Sequence, residues 1–498
     1  MAEQSNVSVH QEKKIILPPI INPKNPQNNV VTYETGRLDT EENKIIPNEN
    51  EAPKIVEDKK DNEIIDTEKD KKEEPKKSVG FYGAVFAMTS LSIGTGCLTF
   101  TKRVIQFGFV WFGVLLIVAG VATYWTLCGI IRAAEKEKNF EFSSLVKKVI
   151  GKFPAVFLDV MTIIYSWGLI ITYEVIMNSL IGRTIYIFFK NKETYPTFDD
   201  YEEQEWDSAK IKAIVLVVIN VLLTPLCLAK DIGKMRFFGL FGIIALFYTI
   251  IVLIIECPYY WIHYLDNVYV KDEKTTHANW IDISRSFNTN LDFFTGFATI
   301  IFAYSCHQGS LPVYRTVENN DLPKMKKIFI GSIILDLLIY FLTYISSFLT
   351  TPLESKDLII YRESIFSNDI FMNIAKIAVF LELFFLIPSN YNSLRCSIFQ
   401  MIFKSEEVKM IPNIILTLST LVLSAVIGAV YSEILNYISL LGGFCCTTYC
   451  FFVPGWLMIK SEWEEMSMLR KILTITGIGL LSLLGFIGGV MSIILCFK

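Results

Sequence analysis

Runs of about twenty apolar residues, recurring with short polar interruptions from residue 79 onward, leave this chain few ways to fold. Such a run matches the hydrocarbon core of a bilayer when helical, and in lipid a spanning backbone must satisfy its own hydrogen bonds. Eleven candidates stand at about 80–107, 109–132, 155–189, 211–229, 237–264, 288–314, 328–351, 369–397, 411–431, 434–459 and 472–497. The sequence therefore predicts an all-α polytopic membrane protein with 11 transmembrane helices. Composition agrees, since 52% of the 498 residues are hydrophobic and only 19% are charged. A water-soluble globular chain is excluded.

Charge is unevenly placed. Residues 1–78 hold 13 Lys+Arg against 17 Asp+Glu, and the remainder of the chain holds 33 against 33, for a net charge of -4. That balance excludes a basic nucleic-acid binder. Glu, Lys, Asp, Asn and Pro dominate residues 1–78, without an apolar stretch long enough to bury, and predict a disordered tail ahead of a membrane domain over 79–498. No cleavable signal peptide is recognised, so the first span is expected to act as its own insertion signal. With the tail in the cytosol, the inner loops carry 19 Lys/Arg and the outer loops 8. The positive-inside rule therefore predicts a cytosolic N-terminus, and the Asn6 sequon is expected to stay unmodified.

Interruptions of the helices point to a site, because irregular backbone at membrane depth is tolerated only where it is covered or lines a cavity. Ser92-Ile93-Gly94-Thr95-Gly96-Cys97 breaks the first span, and Ser305-Cys306-His307-Gln308-Gly309-Ser310-Leu311-Pro312 breaks the sixth. Glycine weakens the helix, and Pro312 removes a backbone donor. The breaks stand five spans apart. This spacing is what two inverted five-helix repeats produce, at about 79–265 and 288–459, with an extra helix at 472–497. Close packing through small residues competes with this reading for either break taken alone. The ten cysteines form no CxxC pair and no cluster with the four histidines at metal spacing, so no zinc site or disulfide framework is predicted.

These residues carry a family likeness. IIFAYSCHQGSLPVYRTVENNDLPKM resembles the sixth-span signature of the amino acid/auxin permease family, which includes sodium-coupled neutral and vacuolar amino acid transporters. SIGTGCL is similar to its first-span Gly-x-Gly-x-Leu, IPSNYNSLR to its eighth span and GGFCCTTYCFFVPGWLMIK to its tenth, over about Ser78 to Lys498. The resemblance implies a LeuT-type 5+5 inverted repeat with discontinuous first and sixth helices, and symport of amino acids with sodium or protons. It implies that amides of Ile93, Gly94, Thr95, Gly96 and Cys97 take the substrate carboxylate. Carbonyls of that stretch and of Tyr304, Ser305, Cys306 and His307 would take the ammonium. Sodium-coupled members have Asn where this chain has Ser90, which favours protons; Thr350 is the expected second oxygen of a sodium site. Lys102 and Arg103 replace the family's small and aromatic residues after the break, and are expected to snorkel or to screen substrates by charge.

His307, Glu174 and Glu382 are further ion-coupling candidates, since intramembrane ionisable groups mark ion paths or structural polar anchors. Asp336 shares that description, whereas Glu256 and Asp159 lie nearer span ends. No enzyme motif is present, and no cofactor or metal beyond sodium is implied. The function expected is secondary active transport of amino acids, at the cell surface or in an acidic organelle such as a vacuole or lysosome. The partners expected are an amino acid, a coupling ion and the bilayer. The alternative is an amino-acid-sensing transceptor that signals through its tail.

Overall fold

The computed structural model of the chain describes residues 79–191, 193–194, 198–229, 236–271, 292–350, 356–362, 364–366, 369–403 and 409–497. The tail expectation concerns residues outside that set. The described residues are helical almost throughout. The first span is α1 (Phe81–Ser92), a 3-10 turn (Thr95–Thr99) and α2 (Phe100–Phe107). The chain continues through α3 (Phe109–Glu137), the short α4 (Phe142–Val149), α5 (Lys152–Phe189), α6 (Ala209–Leu228) and α7 (Arg236–Lys271). The sixth span is divided into α8 (Asp292–Ala303) and α9 (His307–Thr316). Beyond it run α10 (Leu322–Thr350), α11 (Ile370–Phe403), α12 (Met410–Val430), α13 (Ile434–Glu465) and α14 (Met468–Cys496).

Nine of these helices are long and apolar enough to cross a membrane, and the bent pair α1–α2 makes a tenth span. Among the described residues the test of length stops there, because the sixth candidate is split into two pieces of 12 and 10 residues. The helices lie where the apolar runs place the spans, with several running up to about seven residues beyond the expected ends. Pro258 and Pro388 fall inside α7 and α11, which run through them.

Helices approach most closely where glycines remove the side chain between them. A Cβ on Gly443 of α13 would overlap the backbone of Gly489 in α14, and one on Gly488 would overlap the Phe294 carbonyl of α8. In lipid, where burying apolar surface drives little association, such close packing is a main source of helix adhesion. The helix α13 also contains π-helical turns at Leu441–Cys446 and Thr448–Phe452, which re-aim the side chains that follow.

The two broken spans are joined at one end by backbone. Val79 N donates to the Thr316 carbonyl at 2.8 Å, and Glu318 N donates to the Val79 carbonyl at 3.3 Å. The start of α1 and the end of α9 are thereby held side by side. Gly443→Val is expected to destabilise the protein by about 3 kcal/mol, the upper range for overpacking, read as a lowered midpoint of thermal unfolding in detergent. Gly479→Ala, where a Cβ meets nothing within 4 Å, should leave that midpoint unchanged.

Candidate functional site

The first break is narrower than the sequence suggests. Helix α1 ends as Ile93 (φ -72, ψ 113) and Gly94 (φ -144, ψ -167) turn extended, and the chain resumes as a tight turn from Thr95, bent by 48°. A β-branched residue followed by glycine is poor helix material, which explains why the helix gives way there. Two side chains stabilise the turn by bonding its own carbonyls. The Cys97 thiol donates to the Gly94 carbonyl at 3.2 Å, and the Thr99 hydroxyl donates to that of Gly96 at 2.6 Å. The first amides of the turn, at Thr95 and Gly96, have no carbonyl ahead of them within it.

The second break covers only Tyr304, Ser305 and Cys306, and this corrects the longer stretch read from the sequence. His307–Thr316 is helical, and Pro312 lies inside that helix. A proline five residues into a helix removes a single bond near its start, so helicity persists around it. The Ala303 carbonyl, freed at the end of α8, accepts from the Tyr340 hydroxyl of α10 at 2.5 Å.

The breaks meet. A Cβ on Gly96 would lie 2.9 Å from the Phe302 ring and 3.8 Å from Ala303 Cα, so only glycine lets the first turn rest on the end of α8. On the other side, Leu91 of α1 packs against Gly309 of α9. Nothing stands within 4 Å of a Cβ on Gly94, which therefore borders open space. Beside the second break, the Tyr165 hydroxyl of α5 is 3.2 Å from Ser305 Oγ. The Tyr165 ring stands edge-on to Tyr449 at 5.4 Å, and the Tyr449 hydroxyl is 3.0 Å from Cys446 Sγ. Helix-end amides, freed carbonyls, two phenols and a hydroxyl are thus gathered where four helices converge. Such a set can hold a zwitterion by its two charged ends and leave rings for its side chain.

Other candidates are dispersed. His307 is buried with Nε2 2.8 Å from Thr126 Oγ1 of α3, and its ring faces Phe451 at 6.4 Å. It points into the α3–α13 contact. The Tyr304 ring packs edge-on against Tyr340 at 5.3 Å. Glu174 is buried beside Asn220 and Cys227 of α6, away from both breaks. Glu382 lies against Gly242 of α7 and neighbours Cys97 and Tyr173, so it borders the first break alone. Ser90 Oγ donates to the Ala87 carbonyl at 2.8 Å. Thr350 bonds the Ser347 carbonyl at 3.0 Å, at the far end of α10. Since Thr89 bonds the carbonyl of Ser332, Thr350 stands about 27 Å further along α10 at 1.5 Å per residue. The paired oxygens expected from Ser90 and Thr350 are therefore not brought together.

Lys102 and Arg103 neither snorkel freely nor line the gap. Arg103 is 2% exposed and donates to Thr295 Oγ1 of α8 (3.3 Å) and to the Leu435 carbonyl (3.2 Å) and Ser439 Oγ (2.5 Å) of α13. Lys102 pairs with Asp357 at 2.6 Å. Asp357 opens a segment, Leu358–Arg362, that plugs the bundle on the Phe107 side and packs on the Thr95–Thr99 turn. Arg183 donates to the Tyr361 carbonyl at 3.0 Å, and Arg362 is paired with Glu256 and lies 3.9 Å over the Tyr260 ring. Sequence reasoning passed over this plug, although LIIYR is an apolar pentapeptide in an otherwise polar loop. Tyr165, Tyr340, Tyr449 and Thr126 gave no comparable signal.

Comparison with known proteins bears on this geometry. The model of the family described as transmembrane amino acid transporter protein matches residues 77–495. The chain belongs to that family. It is a family of transporters rather than enzymes, as the sequence leads one to expect. This transmembrane amino acid transporter is 23% identical over 393 residues to sodium-coupled neutral amino acid transporter 7 of Danio rerio, covering 77% of this chain and 79% of the relative. To the protein of the same name from Homo sapiens it is 21% identical over 426 residues, covering 82% and 86%. Among solved structures it is similar to MhsT in complex with L-phenylalanine, with a TM-score of 0.49 and 12% identity over 85% of this chain and 99% of that one.

The Lys102–Asp357 pair is testable by exchange of its charges. Each single change, Lys102→Asp or Asp357→Lys, is expected to lower thermal stability, and the double change to recover about 0.5–1 kcal/mol of coupling, as for a partly exposed pair. A coupling of zero in that cycle would show that the pair does not hold the plug.

Proposed function

We propose that this chain moves amino acids across its membrane by alternating access, coupled to a monovalent cation, with the substrate held between the two breaks. The observation that carries this reading is the meeting of two interrupted spans, with open space at Gly94 in the first and the Tyr165 and Ser305 hydroxyls beside the second. The breaks stand five spans apart in the chain, which supports two inverted repeats at 79–265 and 288–459 with 472–497 appended. The amides that open the Thr95–Thr99 turn and α9 receive the substrate carboxylate, and carbonyls at Gly94 and Tyr304 receive the ammonium. Tyr165, Ser305 and Tyr449 border the side chain.

The plug and the Arg103 clamp supply the closed side of the cycle. Arg103 ties the first span, the sixth and α13 together on the Phe107 side, so opening there requires those contacts to part. The excess of Lys and Arg in the loops on the Phe81 side supports a cytosolic N-terminus. Relatives named as sodium-coupled favour sodium as the driving ion, whereas the separation of Ser90 from Thr350 removes one pair that would bind it.

Uptake of labelled amino acids into proteoliposomes, under a sodium gradient and separately under a pH gradient, tests this reading. Concentrative uptake in one of the two is expected; binding without flux in either would replace the transporter with a receptor. The location of the site has its own test. Gly94→Val, whose side chain enters open space from an extended backbone, is expected to lower uptake at least tenfold without changing the unfolding midpoint. Gly96→Val, pressed on Phe302, should lower both.

A further inference from the structure

We propose that Asp336 of α10 is the site at which a proton binds and travels with the amino acid. The proposal rests on the transport reading above and assigns its coupling group. Among the described residues, three carboxylates without an ion pair, Glu174, Asp336 and Glu382, are buried within the spans, and of these only Asp336 adjoins both breaks. It is 1% exposed. Thr89 and Ser92, the last residues of α1 before the first break, face it with their hydroxyls. Cys306 and Tyr304 approach it from the second break, and Tyr340 of α10 lies beside it. Among the described residues, α3 and α7, which also pack on α10, bring no charged side chain to it.

The hydrogen-bond arithmetic favours the protonated acid. Thr89 and Ser92 are the hydrogen-bonding side chains beside the Asp336 carboxyl, and neither is held against it in a close, well-aligned bond. The two hydroxyls that face it are committed elsewhere: Thr89 donates to the Ser332 carbonyl and Ser92 to the Met88 carbonyl, both at 3.4 Å. Each hydroxyl has one hydrogen to give and lone pairs to spare. They can accept from a carboxylic acid but can donate to a carboxylate only by leaving their carbonyls. An ionised carboxylate without a cationic partner is costly at this depth, whereas the neutral acid has two hydroxyl oxygens to which it can donate.

Coupling follows from where those hydroxyls sit. Ser92 is the last helical residue before Ile93 and Gly94 turn extended. When the proton leaves, Ser92 and Thr89 must turn toward the carboxylate, releasing the Met88 and Ser332 carbonyls at the end of α1 and along α10. Loss of the proton thus alters the helix end that shapes the substrate site, and substrate that fixes that end holds the proton in place. The step is a simple proton transfer between water and a carboxylate, with no other bond made or broken.

The test uses the full chain in proteoliposomes, with a panel of labelled amino acids in sodium-free buffer. Wild-type protein is expected to exchange amino acids without a gradient and to accumulate them when the pH gradient is imposed. In Asp336→Asn, accumulation under the gradient should fall at least tenfold, and exchange should lose its dependence on pH. In detergent, addition of amino acid to the wild type should take up protons from a weakly buffered solution, and addition to Asp336→Asn should not. Should the asparagine variant fail to fold, Asp336→Glu is expected to retain coupling with the pH midpoint of exchange displaced, and an unmoved midpoint overturns the assignment. Undiminished pH-driven accumulation in Asp336→Asn overturns it too, as does accumulation that requires sodium and is lost in the variant, which makes this a sodium site. Absence of exchange in the wild type is a different result, since it removes the transport reading itself.

Discussion

A helix that crosses lipid may open its hydrogen-bond ladder only where something else completes it, and here the two openings are completed by side chains within and beside them. The turn after Gly94 is stabilised by Cys97 and Thr99 on its own carbonyls, and the end of α8 by the Tyr340 hydroxyl. The packing of Gly96 on Phe302 joins the two breaks at the centre of the bundle, and the glycine contacts of α13 and α14 with α8 hold the sixth span there.

Buried charges in this molecule are treated unequally. Arginines are supplied with acceptors: Arg103 has a carbonyl and two hydroxyls, Arg362 a carboxylate and a ring, and Arg395 the Cys227 and Ala229 carbonyls. Asp336 and Glu174 have only neutral neighbours, two hydroxyls at Asp336 and the Asn220 side chain at Glu174. A guanidinium cannot shed its charge, so the fold must surround it with acceptors. A carboxylic acid can be neutral and so can stand among apolar neighbours. The arginines accordingly sit where the bundle is clamped, and the lone acids where a change of charge can be felt.

Much of this was legible in the sequence because the membrane enforces local rules. Twenty apolar residues declare a span without knowledge of its neighbours, and Gly94 and Gly96 declare a weak helix in the same way. The partners of the breaks were not legible, since Tyr165, Tyr340 and Tyr449 read as three among 22 tyrosines until the helices are placed. His307 shows the difference well. Its position next to a break was visible, but its direction was decided by Thr126 of α3. Thr350 failed for a simpler reason, because the rise of one helix already separates it from the level of Ser90.

The backbone bridge between Val79 and Val317 has a mechanical meaning. Two half-helices that could tilt independently share a single handle at their ends, so α1 cannot swing outward without dragging α9 or breaking two hydrogen bonds that face the polar boundary. Motion at that end of the molecule is reduced from two degrees of freedom to one. A pull on the chain just ahead of α1 would then be felt in both halves of the substrate site at once.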